Sequence, residues 1–145
     1  MENNKIHEIR LIVAGTRTFD DYVLMREKLD QIILGLQEDY SGAPVVIISG
    51  NAKGADQLGI RYAMERNLSF RRFPAQWHQY GKAAGPMRNA QMLAYAKEGI
   101  PALAAFWDGK SRGTDNMIQA ARRGKAFVRV IPYEAADVKK TERKP

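Results

Sequence analysis

The stretch Val45-Val46-Ile47-Ile48-Ser49-Gly50-Asn51-Ala52-Lys53-Gly54-Ala55-Asp56 decides how the chain is read. Four β-branched residues in succession suit a strand buried on both faces, and Ser49 to Gly54 then have the composition of a tight, permissive turn. A helix should start within that turn. Gly50 and Gly54 lack a Cβ, so the backbone is free to take positive φ and to let an anion lie against its N–H groups, at the positive end of the helix macrodipole. The alternative is structural, with Gly50 ending a strand and Gly54 easing helix packing. The spacing is neither Gly-x-Gly-x-x-Gly nor Gly-x-x-x-x-Gly-Lys-Ser/Thr, so neither the dinucleotide fingerprint nor the P-loop is claimed.

Working outward, strand and helix alternate. Glu8 to Gly15 reads as a first strand, and Asp20 as the N-cap of a helix running to about Leu36 with Val23, Leu24, Leu29, Ile32, Ile33 and Leu36 at helical spacing. Ser41 to Pro44 is a loop. Ala55 to Arg66 is an amphipathic helix and Ser69 to Phe73 a short third strand. Pro74 to Pro86 is a long aromatic loop, and Pro86 opens a helix through Ala96. Ala102 to Phe106 is a fourth strand, Asp115 to Arg123 a helix, and Ala126 to Ile131 a fifth strand. This alternation predicts a three-layer, Rossmann-like α/β fold. Its five-stranded, mainly parallel sheet should take the order 3-2-1-4-5, with helices on both faces. One domain over residues 1–134 and a polar basic tail over 135–145 are expected.

In that order the turns after strands one and four flank the switch point, and the turn after strand two lies beside them. At the first turn, Gly15-Thr16-Arg17 offers amides, a hydroxyl and a guanidinium able to clamp a phosphate, or else a capping threonine and a solvated arginine. Ser49, Gly50, Asn51 and Gly54 belong to the second turn. Asp56, at the start of the helix beyond it, either caps that helix or contacts a ribose hydroxyl. Trp107-Asp108-Gly109-Lys110-Ser111-Arg112-Gly113-Thr114 is a second anion-cradle candidate, in which Asp108 is suited to a sugar hydroxyl or to taking a proton. Arg88-Asn89, one turn into a helix, points to the crevice mouth. Trp77, His78, Tyr80 and Lys82 either lie over a base as a lid or plug the sheet edge. Arg88 and Asp108 are the catalytic candidates.

The chain has 145 residues, 45% hydrophobic and 27% charged, ordinary for a globular protein. With no cysteine, disulfides, thiol catalysis and thiolate–metal sites are excluded, and two histidines make no cluster. No metal and no cofactor is expected. The net charge of +7 favours acidic partners, a phosphorylated small molecule or nucleic acid. Part of the excess is Lys139, Lys140, Arg143 and Lys144, which weakens the case for nucleic acid. No run approaches the roughly 20 apolar residues of a membrane helix, and the first residues lack a signal-peptide core. A cytoplasmic protein without membrane partners is expected.

Three motifs taken together resemble the YspA-type branch of the SLOG superfamily. They are Ser49-Gly50-x-x-x-Gly54-Ala55-Asp56, Tyr80-Gly81-Lys82-Ala83-Ala84-Gly85-Pro86-x-Arg88-Asn89-x-x-Met92, and Phe106-Trp107-Asp108-Gly109-x-Ser111-x-Gly113-Thr114. The resemblance spans about residues 8 to 132. It implies a Rossmann-like fold binding a nucleotide or a nucleotide-derived, ADP-ribose-like ligand at the crevice, as a sensor or processing protein, and implies a dimer. The superfamily also holds the Lonely-guy phosphoribohydrolases, molybdenum-cofactor-carrier-like proteins and a DNA-processing protein. It therefore brings two rival functions, hydrolysis of an N-glycosidic or phosphoester bond and DNA binding. In the enzymatic relatives a Gly-Thr pair is followed by a catalytic glutamate, and that position here is Met117, which cannot accept a proton. Hydrolysis would then need Asp108 or Asp115 as a substitute.

Overall fold

The β-branched run Val45–Ser49 forms strand β2, in a computed structural model that describes residues 7–134. The residues read as a basic tail, and those searched for a leader before His7, lie outside that range. Around β2 stand β1 (Ile9–Gly15), β3 (Ser69–Arg72), β4 (Ile100–Trp107) and β5 (Phe127–Pro132). Every pairing is parallel and the order is β3-β2-β1-β4-β5. The expected sheet is present.

Period-two alternation divides β1 between two cores. Ile9, Leu11 and Val13 pack with α1 (Tyr22–Asp39) and α2 (Ala55–Glu65), while Ile12 and Ala14 pack with α4 (Ala84–Ala96) and α5 (Arg112–Arg123). Helices thus cover both faces. Among the described residues no helix is long and apolar enough to cross a membrane.

Several boundaries correct the sequence reading. Asp21, not Asp20, caps α1, its carboxylate accepting from the Leu24 amide at 3.1 Å. The helix therefore turns Met25, Leu29, Ile32, Ile33 and Leu36 inward, leaves Val23 exposed, and runs on to Asp39. The stretch expected as a loop from Pro74 to Pro86 is mostly helical. It holds α3 (Trp77–Tyr80), a 3-10 turn (Gly81–Ala83), and α4 starting at Ala84 rather than Pro86. Gly81 at φ +54 makes the corner between them. Helix α5 begins at Arg112, three residues before Asp115, because the Ser111 side chain caps it by accepting from the Thr114 amide.

Candidate functional site

The sheet order puts the switch point between β1 and β4. A crevice of about 550 Å³ opens there at the carboxyl ends of the strands, within the usual range for small-molecule sites. Its walls come from the β1–α1 turn (Gly15 to Thr18), Ala52 and Asp56 after β2, the start of α4, and Asp108, Ser111 to Thr114, Asn116 and Met117 after β4. The turns converge as expected. They do not share one task.

Thr16 stitches the corners together. Its amide donates to the Phe106 carbonyl (2.9 Å), its carbonyl accepts from the Ala55 amide (3.4 Å), and its hydroxyl accepts from the Asp108 amide (3.0 Å). Gly15 makes this approach possible, since a Cβ on it would stand 2.2 Å from the Phe106 oxygen. Gly54 is required twice over, by φ +79 and by a Cβ position only 2.4 Å from the Arg17 carbonyl oxygen.

The turn from Ser49 to Gly54 thus packs closely on the β1–α1 corner, and of its residues Ala52 lines the crevice. Two of its amides are committed within the protein, Asn51 donating to the Ser49 hydroxyl and Ala52 to the Asp56 carboxylate, and the Ala55 amide just beyond it donates to Thr16. The Ser49 hydroxyl in turn donates to the Asp56 carbonyl, and the Asn51 side-chain oxygen accepts from Gln57 and Arg72. Ser49, Gly50, Asn51 and Gly54 do not line the crevice. Nor does Trp107, whose indole N–H donates to the Ser111 carbonyl and braces the start of α5.

The open helix end in the crevice is at α5. Ser111 caps the Thr114 amide, so the amides of Arg112 and Gly113 have no acceptor within the helix. A Cβ on Gly113 would meet nothing within 4 Å, so this glycine faces free space. Arg17, Lys82, Arg88 and Arg112 supply four cations to the lining against two carboxylates, Asp56 and Asp108.

Arg88 is half-buried, with Nη1 donating to the Gly50 carbonyl (2.6 Å) and Nε to the Asn89 side-chain oxygen (3.0 Å). Burial lowers its pKa, and the Asp56 charge acts in the opposite direction. Asn89 is buried and donates to the Gly113 carbonyl and to Asn116. Its polar atoms are thus engaged in the protein, and it fixes Arg88 to the start of α5 rather than reaching a ligand.

The two carboxylates differ in kind. Desolvation opposes the Asp108 charge, but the amides of Lys110 and Ser111 donate to its Oδ1 and hold its pKa below the ordinary value. Asp108 is an ionised turn-former and is ill-suited to deliver a proton. Asp56 is 6% exposed, and burial pushes it up to about 6 against the lowering effects of the Ala52 amide, Arg88 and Arg17. It is the titratable carboxylate of the crevice.

Of the residues singled out from sequence, Gly15, Thr16, Arg17, Asp56, Arg88, Asn89, Asp108, Ser111, Arg112, Gly113 and Thr114 line the crevice. Thr18 and Asn116 also line it and were missed. Asn116 is three residues beyond Gly113 on α5, so helical spacing was the available signal. Met117 is buried in the wall, where its thioether offers no base. Asp115 does not line the crevice and accepts from Gln119 instead. A groove of about 610 Å³ around Leu24, Val130 and Tyr133 has no basic lining residue. Among the described residues no cluster of His, Cys, Asp and Glu could hold a metal ion.

Residues 9–80 match the family model described as YspA, cpYpsA-related SLOG family. The chain is similar to the Gene 61 protein of Mycobacterium phage D29, with 29% identity over 131 residues, 86% of this chain and 95% of the phage protein. No solved structure gives a significant match.

Proposed function

The chain belongs to the YspA, cpYpsA-related SLOG family, and on that premise we propose that its crevice binds a nucleotide or nucleotide-derived ligand of the ADP-ribose kind, in a sensing or processing role. The observation that carries this reading is the pairing of Arg88 with the start of α5. A guanidinium held by Gly50 and Asn89 stands with two uncommitted helix amides and an unfilled space over Gly113. Such an arrangement suits a phosphate, because both donor sets are fixed before the ligand arrives.

Calorimetric titration with AMP, ADP and ADP-ribose tests it. Arg88→Ala should weaken binding by about 10-fold or more, the usual worth of a charge-assisted hydrogen bond. Gly113→Val should weaken it similarly by filling the anion space, with the fold intact. Absence of binding to every member of the panel would refute the proposal.

A further inference from the structure

Trp77 stands in an unusual place for so large an aromatic ring. It is 46% exposed, at the start of a four-residue helix. It does not plug the sheet edge, and it lines both the crevice and a groove formed with Ala75, Gln76, His78 and Gln79. The ring is nonetheless held in place. Its Cη2 would lie 3.1 Å from a Cβ on Gly85, so the missing side chain there lets the indole rest directly on the first turn of α4.

The cation over the ring is Arg17. Its guanidinium carbon is 5.7 Å from the Trp77 ring centroid, whereas Arg10 over Tyr95 and Arg61 over Tyr22 close to 3.9 Å. The Arg17 guanidinium therefore stands over the Trp77 ring without closing on it. Layers in van der Waals contact lie about 3.5 Å apart, so a planar ring between them needs about 7 Å. An exposed arginine on a turn supplies the remaining 1 Å or so by a rotamer adjustment.

We propose that Trp77 and Arg17 form the ring subsite of the crevice, receiving the base of a nucleotide whose phosphate lies at the first turn of α5. This rests on the nucleotide reading above and adds to it the orientation of the ligand and the residue that selects for an aromatic group. Stacking on an indole under a guanidinium uses the π-face that every base has. The subsite thus favours a base over no base, with little preference among bases.

The test compares AMP, ribose 5-phosphate and adenosine on the full chain, by calorimetry and by the indole N–H resonance of Trp77, assigned through its loss in Trp77→Phe. AMP should bind about 5- to 150-fold more tightly than ribose 5-phosphate, the span of one base–aromatic stack. Trp77→Ala should close that gap to about 3-fold or less with ribose 5-phosphate affinity unchanged, and Trp77→Phe should restore part of it. Adenosine should shift the Trp77 indole signal even without a phosphate. Ribose 5-phosphate binding with no preference for AMP would overturn the ring subsite and leave the phosphate reading standing. A gap that survives Trp77→Ala, or an indole signal indifferent to both AMP and adenosine, would likewise overturn it.

Discussion

Arg88 and Asp56 meet over Gly50. A Cβ on that glycine would lie 2.6 Å from Arg88 Nη1 and 2.8 Å from Asp56 Oδ2, so the absence of a side chain there keeps the cation and the buried carboxylate together. A methyl group there would displace the Arg88 guanidinium and press on the buried Asp56 carboxylate, which the Ala52 amide holds. Gly50→Ala should therefore lower thermal stability and weaken nucleotide binding nearly as much as Arg88→Ala. Paired melting and calorimetry check this. An unchanged affinity would show that the position of Arg88 is not important for binding.

Asp56 sets a pH dependence. Its folded pKa, raised to about 6 from 3.8, means that the native state binds the proton more tightly than the unfolded chain. The neutral form stabilises the fold below about pH 4, and that contribution falls away as pH rises through 6, by roughly 3 kcal/mol in all. Asp56→Asn, which carries no charge at any pH, should be more stable than wild type at pH 7 and close to it at pH 4. Denaturant unfolding of both proteins across that window isolates this residue from the other carboxylates. A difference that does not vary with pH would contradict the burial argument.

Two glycines in the motifs should behave oppositely. Gly54 combines φ +79 with a backbone oxygen at 2.4 Å from any Cβ, so Gly54→Ala should cost about 1–3 kcal/mol or more in unfolding free energy. Gly113 has open space and an ordinary helical backbone, so Gly113→Ala should leave stability within about 1 kcal/mol of wild type. Equal costs at the two sites would contradict their separation into scaffold and ligand-facing positions.

Asp108 should prove to be a turn-former. Asn at this position keeps an oxygen for the Lys110 and Ser111 amides, whereas Ala removes it. Asp108→Asn should bind ADP-ribose within about 3-fold of wild type, and Asp108→Ala should lose about 10-fold by loosening the approach to α5. Equal losses would instead point to a role for the charge itself.

The sheet order was legible because the run at Val45–Ile48 can hardly be anything but a doubly buried strand, and every strand after the first follows a helix. The convergence of Gly15, Asp56, Arg88 and Gly113 on one crevice followed from that order. The sequence did not reveal which glycine faces a ligand and which faces backbone. Gly15 packs on Phe106 and Gly54 on Arg17, contacts made only in the folded chain. The helical character of the segment from Trp77 to Ala84 was hidden for another reason, since Trp-His-Gln-Tyr-Gly-Lys has no apolar period and Gly81 interrupts it. The raised pKa of Asp56 depends on its burial and on Arg88, 32 positions further along the chain, and no local pattern signals it.

Amide chemical-shift mapping of the full chain with ADP-ribose is the most direct measurement. Shifts concentrated at Thr16–Thr18, at Trp77–Asn89 and at Ser111–Met117 would locate the ligand between the β1 and β4 turns, as the geometry predicts. A spectrum left unchanged, or shifts gathered around Leu24, Val130 and Tyr133 instead, would contradict it.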